Sequence, residues 1–209
     1  VTPVVLVDHY GAGVDLIPIA HALERQVQEH FAPVYGLEAT VGVASSALDG
    51  AWVIGLFRDP DQPGALGYHS LGPNGLPCAK VFPELDKQDG ANLSTTISHE
   101  LLEMLADPFL RLAVQASDGR FYANEVCDAV EQDEYEIDGV TVSSFLLPDW
   151  YTGGSKFDYL GKCNAALEVR PGGYAQVYDP SAGWQQILNG QMRAYRARLG
   201  GRTARRARG

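Results

Sequence analysis

The segment Ser94-Thr95-Thr96-Ile97-Ser98-His99-Glu100-Leu101-Leu102-Glu103-Met104-Leu105-Ala106-Asp107-Pro108 decides how the rest of this chain is read. Leu93, Ile97, Leu101 and Leu105 recur every four residues, the spacing of one apolar face of an α-helix. Asn92 or Ser94 supplies an N-cap, and Pro108 stops the helix at Asp107. His99 and Glu103 are also four apart, so they stand one above the other on a different face, with Glu100 beside them. A neutral imidazole nitrogen and a carboxylate oxygen one turn apart are zinc-ligand types at a ligand spacing. Asp107 continues the acidic face and is a weaker candidate.

Working outward, the next informative stretch is Asn124-Glu125-Val126-Cys127-Asp128. A bare His-Glu-x-x-Glu pattern also occurs on exposed helices, and this second acidic segment is what raises it to a candidate site. Metal ligands are expected at His99, Glu103 and Glu125. Glu100 is the expected general base, placed to take a proton from an activated water. Asp128 is expected behind His99, accepting its other N–H and fixing the tautomer. Cys127 reads as a buried structural thiol in preference to a ligand. His69, expected to line the cleft opposite the helix, is a weaker candidate. So is Tyr174, as a hydroxyl donor to a developing charge, with Tyr178 as its alternative.

At these residues the chain resembles a known group. The His99-Glu100-x-x-Glu103 helix followed by Asn124-Glu125-x-x-Asp128 is similar to the zincin metallopeptidases, and within them to the gluzincin branch. That resemblance implies a second helix bearing the Asn-Glu pair, Glu125 as third ligand and Asp128 orienting the histidine. It also implies that Pro77 to Phe82 is the edge strand holding a peptide substrate by main-chain pairing. The same segments are similar to the exordium-like secreted plant proteins and to bacterial and phage proteins of unassigned role. The resemblance covers roughly residues 92–151. One departure stands out: Glu103 occupies a position where the peptidases carry His. An extra carboxylate lowers the Lewis acidity of a bound zinc and shifts preference toward harder cations such as calcium or manganese, or leaves a degenerate site with no metal.

Around this centre the chain is patterned as an α+β protein, expected as a zincin-like mixed twisted sheet packed on two helices, with a smaller, mostly irregular or β C-terminal part. Strands are expected at 3–7, 37–43, 51–57, 66–70 and 77–82, and a helix over 15–31 from Ile19, Leu23, Val27 and Phe31. His21 and His30 on that helix read as solvated. Asp138-Gly139 marks a hairpin between 135–137 and 140–145, and Pro171-Gly172-Gly173 another between 167–169 and 174–177. Trp150 and Tyr151 read as core, or as a carbohydrate-binding wall. A single domain spans 1–184, with the metal helix at 92–107 and the second motif at 122–131. A helix over 185–199 and an Arg-rich tail over 200–209 complete it.

The 209 residues carry a net charge of −10, which argues against nucleic-acid binding by the body of the protein. Arg193, Arg196, Arg198, Arg202, Arg205, Arg206 and Arg208 crowd the C-terminal end, where a protein partner or a nucleic acid is the expected contact. Three cysteines, Cys78, Cys127 and Cys163, give neither a disulfide framework nor a C-x-x-C pair. No apolar run reaches membrane-spanning length, so no membrane partner is expected, and a cytoplasmic or particle-associated location is favoured. Two functions follow: a zinc-dependent peptidase or hydrolase acting on a peptide or protein substrate, or a non-catalytic structural protein of a phage or injection particle.

Overall fold

The computed structural model describes residues 1–188 and 190–194 of the chain. The first half builds a five-stranded sheet from β1 (Thr2–Asp8), β2 (Ala39–Ala44), β3 (Trp52–Leu56), β4 (Gly67–Leu71) and β5 (Pro77–Val81), in the order β2-β1-β3-β5-β4. Only β4 runs antiparallel to its neighbour. β1 lies inside the sheet, and its run of Val4, Val5, Leu6 and Val7 is buried on both faces, as a continuous β-branched stretch in a mostly parallel sheet should be.

Two helices cover one face. α1 (Leu16–Arg25), capped by Asp15 on the Ile17 amide, widens into a π-type turn over Gln26–Phe31 and ends in the short α2 (Ala32–Tyr35). After α3 (Pro83–Asp89) comes α4 (Leu93–Ala106), which carries the central segment. Both α1 and α4 pack in one core with Val4, Leu6, Ile54, Leu56, Ala79 and Val81 of the sheet. The widened turn places Gln26 where it ties three elements together. Its amide nitrogen donates to the Ser143 carbonyl at 2.8 Å, and its oxygen accepts from Ser98 on α4 at 2.7 Å.

The second half supplies β6 (Ala113–Gln115), β7 (Phe121–Ala123), the hairpin β8 (Glu134–Ile137) and β9 (Val140–Ser143), α5 (Pro148–Thr152), and β10 (Tyr174–Asp179), β11 (Gly183–Leu188) and β12 (Gln191–Ala194). A second sheet runs β12-β11-β10-β7-β6, fully antiparallel, over its own core of Tyr122, Val130, Trp150, Tyr151 and Val177. The architecture is α+β, with several sheets and few helices.

Several expectations are corrected. Pro77–Val81 is not an edge strand. The tight turn at Gly72 to Gly75 folds β4 back along it, so β5 lies between β3 and β4, and β4 takes the edge. Residues 167–169 form no strand: Leu167 sits at φ 60°, and β10 pairs with β11 across a turn that Asp179 caps at the Ser181 amide. In place of the helix expected over 185–199 stand β11, as far as Leu188, and β12, from Gln191 to Ala194; residue 189, residues 195–199 and the 200–209 tail lie outside the described residues. His30 is half-buried, bonded through Nδ1 to the Tyr135 hydroxyl at 3.0 Å and stacked on Tyr159. Trp150 and Tyr151 are buried, which removes the carbohydrate wall. The Asp138-Gly139 hairpin forms as read, both residues at positive φ.

Candidate metal centre

Helix α4 is buried all round: Thr95 to Ala106 are all inaccessible, although the stretch includes a histidine and two glutamates. Its apolar stripe meets the first sheet, and its polar face is covered by the chain on both flanks. On one flank is β4, which brings His69. On the other is the 124–131 segment, which brings Glu125, Cys127, Asp128 and Glu131.

Close backbone approaches make this possible. A Cβ on Gly67 would come within 2.9 Å of Thr96 Cγ2 and 3.0 Å of Glu100 Oε1, so the glycine lets β4 lie against α4 beside His69. A Cβ on Gly173 would come within 2.6 Å of the Ala129 carbonyl and 2.7 Å of the Asp128 carbonyl. Asn124 ties the second segment to the end of α4 by donating to the Ala106 carbonyl at 3.0 Å. The segment is not the helix that the resemblance implies. Asn124 to Cys127 are irregular, followed by a single 3₁₀ turn over Asp128–Val130.

Glu103 lies at the middle of the cluster. Its Oε1 is 3.2 Å from His99 Nε2 and accepts the Cys127 backbone N–H at 3.2 Å. Its Oε2 faces the other way, 3.9 Å from His69 Nδ1. Asp128 Oδ1 lies 3.3 Å from His99 Nε2, the nitrogen that Glu103 also approaches, so the two carboxylates meet one side of that ring. His69 Nδ1 is 3.8 Å from Glu100 Oε2, and its Nε2 is 3.9 Å from Glu125 Oε2. These separations are too long for hydrogen bonds, and neither His69 nitrogen makes one, although the side chain is fully buried. Two bonds of about 2.0–2.2 Å to one ion hold their ligand atoms roughly 3–4 Å apart. One His69 nitrogen can serve one ion, and a single ligand atom from each of His69, Glu103 and Glu125 falls within 4.8 Å of the others.

Two groups of ligand atoms therefore fit a metal: His69 with Glu103 and Glu125, and His99 with Glu103 and Cys127, the atoms of each lying within 4.8 Å of one another. Of the expected ligands, Glu103 belongs to both groups, Glu125 to the first and His99 to the second. The weaker candidate His69 proves central. Cys127, read from the sequence as a structural thiol in preference to a ligand, belongs to the second group.

The electrostatics fit the same reading. Burial first, then Glu100, raises the Glu103 carboxyl to about 8. Burial and Glu103 raise Glu125 to about 8 as well. Burial together with Glu103, Glu125 and Glu131 pushes Asp128 well above the usual carboxylate range. Burial would lower His69, but Glu125, Glu100 and Glu103 outweigh it and hold the imidazolium up to about 10. Carboxylates buried this close repel strongly unless protons or cations stand between them.

Of the remaining candidates, Asp107 braces the following loop, its two oxygens accepting from the Arg111 and Leu112 amides at 2.9 and 3.0 Å. Tyr174 is buried near Asp128 and Glu131; burial first and then these two carboxylates push its hydroxyl well above the ordinary range. Tyr178 is exposed and packs edge-on to Trp184. A cavity of about 380 Å³ lies beside the cluster, lined by Asp107, Leu110, Leu112, Gln176 and Trp184, and it reaches the site at Glu125. The three cysteines are free thiols, and no helix among the described residues is long and apolar enough to cross a membrane.

Comparison of the chain with protein-family models, with curated proteins and with solved structures gave no match in any of the three. The chemistry of the cluster is therefore the ground for any functional reading.

Proposed function

We propose that this protein is a metal-dependent hydrolase on a zincin-like scaffold, with a peptide or protein as substrate. The observation that carries the reading is His69: fully buried, hydrogen-bonded at neither nitrogen, and aimed among Glu100, Glu103 and Glu125. His69, Glu103 and Glu125 would hold the ion, zinc by ligand type, with manganese or calcium favoured by the second carboxylate. A bound divalent cation supplies Lewis-acid activation of water and polarisation of a carbonyl. Glu100 is the general base: it flanks His69 and takes a proton at its carboxylate. Glu125, in the cavity wall, is where substrate would meet the site, and Leu110, Leu112 and Trp184 offer it an apolar lining. The scaffold reading is supported by a mostly parallel sheet with one antiparallel edge strand, laid against the helix that bears the ligands.

One observation favours a second reading, a non-catalytic structural or assembly protein on the same scaffold: His99, Glu100 and Glu103 have no exposed surface at all. Hydrolysis of a mixed peptide library by zinc-loaded protein, abolished in Glu100→Gln with zinc still bound, is the result expected of the enzyme. Bound zinc with no turnover of any peptide selects the structural reading. Protein that takes up no divalent cation at all sinks both forms of the metal centre.

A further inference from the structure

We propose that Glu103 bridges two cations, the second held by His99 and Cys127, with Asp128 beside them. This rests on the metal-centre reading above and adds a second ion to it.

The two oxygens of Glu103 serve different neighbourhoods. Oε2 faces His69, in the group completed by Glu125. Oε1 faces His99 Nε2 at 3.2 Å, in the group completed by the Cys127 thiol. The Cys127 backbone N–H, donating to Oε1 at 3.2 Å, holds the carboxylate so that it spans both. Asp128 Oδ1 lies beside this group, 3.3 Å from His99 Nε2, buried and without the alignment of a hydrogen bond. A carboxylate can bind one ion through each oxygen, and two-ion hydrolytic sites keep their ions about 3.5–4 Å apart. An imidazole at position 103 offers no such bridge. The glutamate that weakens a single-zinc reading is the residue that joins two sites.

Charge supports the count. Glu100, Glu103, Glu125 and Asp128 are buried together with two histidines and no buried lysine or arginine among the described residues. With the Cys127 thiolate these groups carry five negative charges; one divalent cation offsets two of them and two cations offset four. The sites also differ in kind. Thiolate, imidazole and carboxylate select zinc or cobalt, whereas one imidazole with two carboxylates accepts harder ions too. Binding at the second site takes the proton from the Cys127 thiol, so that Cys–SH and M²⁺ give Cys–S⁻–M²⁺ and a proton released to solvent.

The test uses the full chain, stripped of metal and titrated with zinc by equilibrium dialysis with elemental analysis, and in parallel with cobalt(II) followed by absorbance. The wild type is expected to bind two equivalents and to show a thiolate-to-cobalt charge-transfer band. Cys127→Ala is expected to bind one equivalent and lose the band. His69→Gln is expected to bind one and keep it. A wild type that binds one equivalent, or Cys127→Ala that keeps two or keeps the band, overturns the bridge while leaving a single-ion centre standing. A wild type that binds none removes the metal-centre reading itself. The wild-type stoichiometry and spectrum decide the matter even if a variant fails to fold.

Discussion

At the scale of single residues, His69 and Glu103 show how differently two candidate ligands can be signalled. Glu103 sits four residues from His99, and the helical period alone puts the two together. His69 lies thirty residues upstream in a strand with no motif, and only the antiparallel return of β4 against α4 brings it in. Cys127 was readable both as a buried thiol and as a ligand, and the buried thiol was preferred because a lone cysteine with no C-x-x-C partner gives no ligand spacing. The residue-scale prediction concerns Glu100. If it is the base, Glu100→Gln lowers kcat by about 10²–10⁴-fold with the bound zinc retained. Undiminished kcat in a folded, zinc-loaded variant would remove Glu100 from that role.

Among the elements, α4 departs furthest from its sequence pattern. Its four-residue leucine stripe describes an amphipathic surface helix, yet the polar face is as buried as the apolar one. Two glycines make that burial possible: Gly67 in β4, which stands in no recognisable motif, and Gly173 just before β10, which the sequence marks only as part of a turn. Gly67→Ala puts a methyl group within 2.9–3.1 Å of Thr96 and Glu100, pushing β4 off the helix. An overpacked contact of this kind costs about 1–3 kcal/mol, and the same displacement should weaken zinc affinity by moving His69 away from Glu103. Gly173→Ala drives a methyl group into the Ala129 and Asp128 carbonyls, which are backbone atoms without a rotamer to yield. It should lower the melting temperature of the metal-free protein more than Gly67→Ala does, which denaturation in chelator would reveal. Wild-type stability and zinc affinity in both variants would mean that the close approaches are not required. The hairpin at Asp138-Gly139 was legible for the opposite reason: its turn is fixed by two adjacent residues and depends on nothing distant.

For the molecule as a whole, the buried acids make stability depend on pH and on metal. In the cation-free protein Glu103 and Glu125 keep their protons up to about 8, whereas in the unfolded chain a glutamate releases its proton near 4.3. Between those values the folded state holds more protons than the unfolded one, so stability falls as pH rises. His69, held up to about 10 against roughly 6.5 when unfolded, acts in the same direction at higher pH. Facing one another in this set are Glu100, Glu103 and His99 of α4, Glu125 and Asp128 of the following segment, and His69 of β4. The melting temperature of chelated protein should therefore decline from pH 5 to pH 8, less steeply in Glu125→Gln. Zinc should flatten the slope by standing where the protons stood. A chelated protein whose stability rises across that range would contradict the assignment. Removing a cation present at a hundred times its Kd should cost about 2.7 kcal/mol of stability, read as a concentration-dependent fall in melting temperature. By itself the sequence determined the α+β patterning, the extent of α4 and the pairing of His99 with Glu103, because helical and strand periods act over a few residues. It also marked 124–128 as a second acidic segment. Only the tertiary structure decided that β4 and not β5 forms the sheet edge, that residues 185–188 and 191–194 are strands, and that His69, Cys127, Gly67 and Gly173 come together at the candidate site. Those outcomes depend on which elements come to lie side by side, and no local period records that.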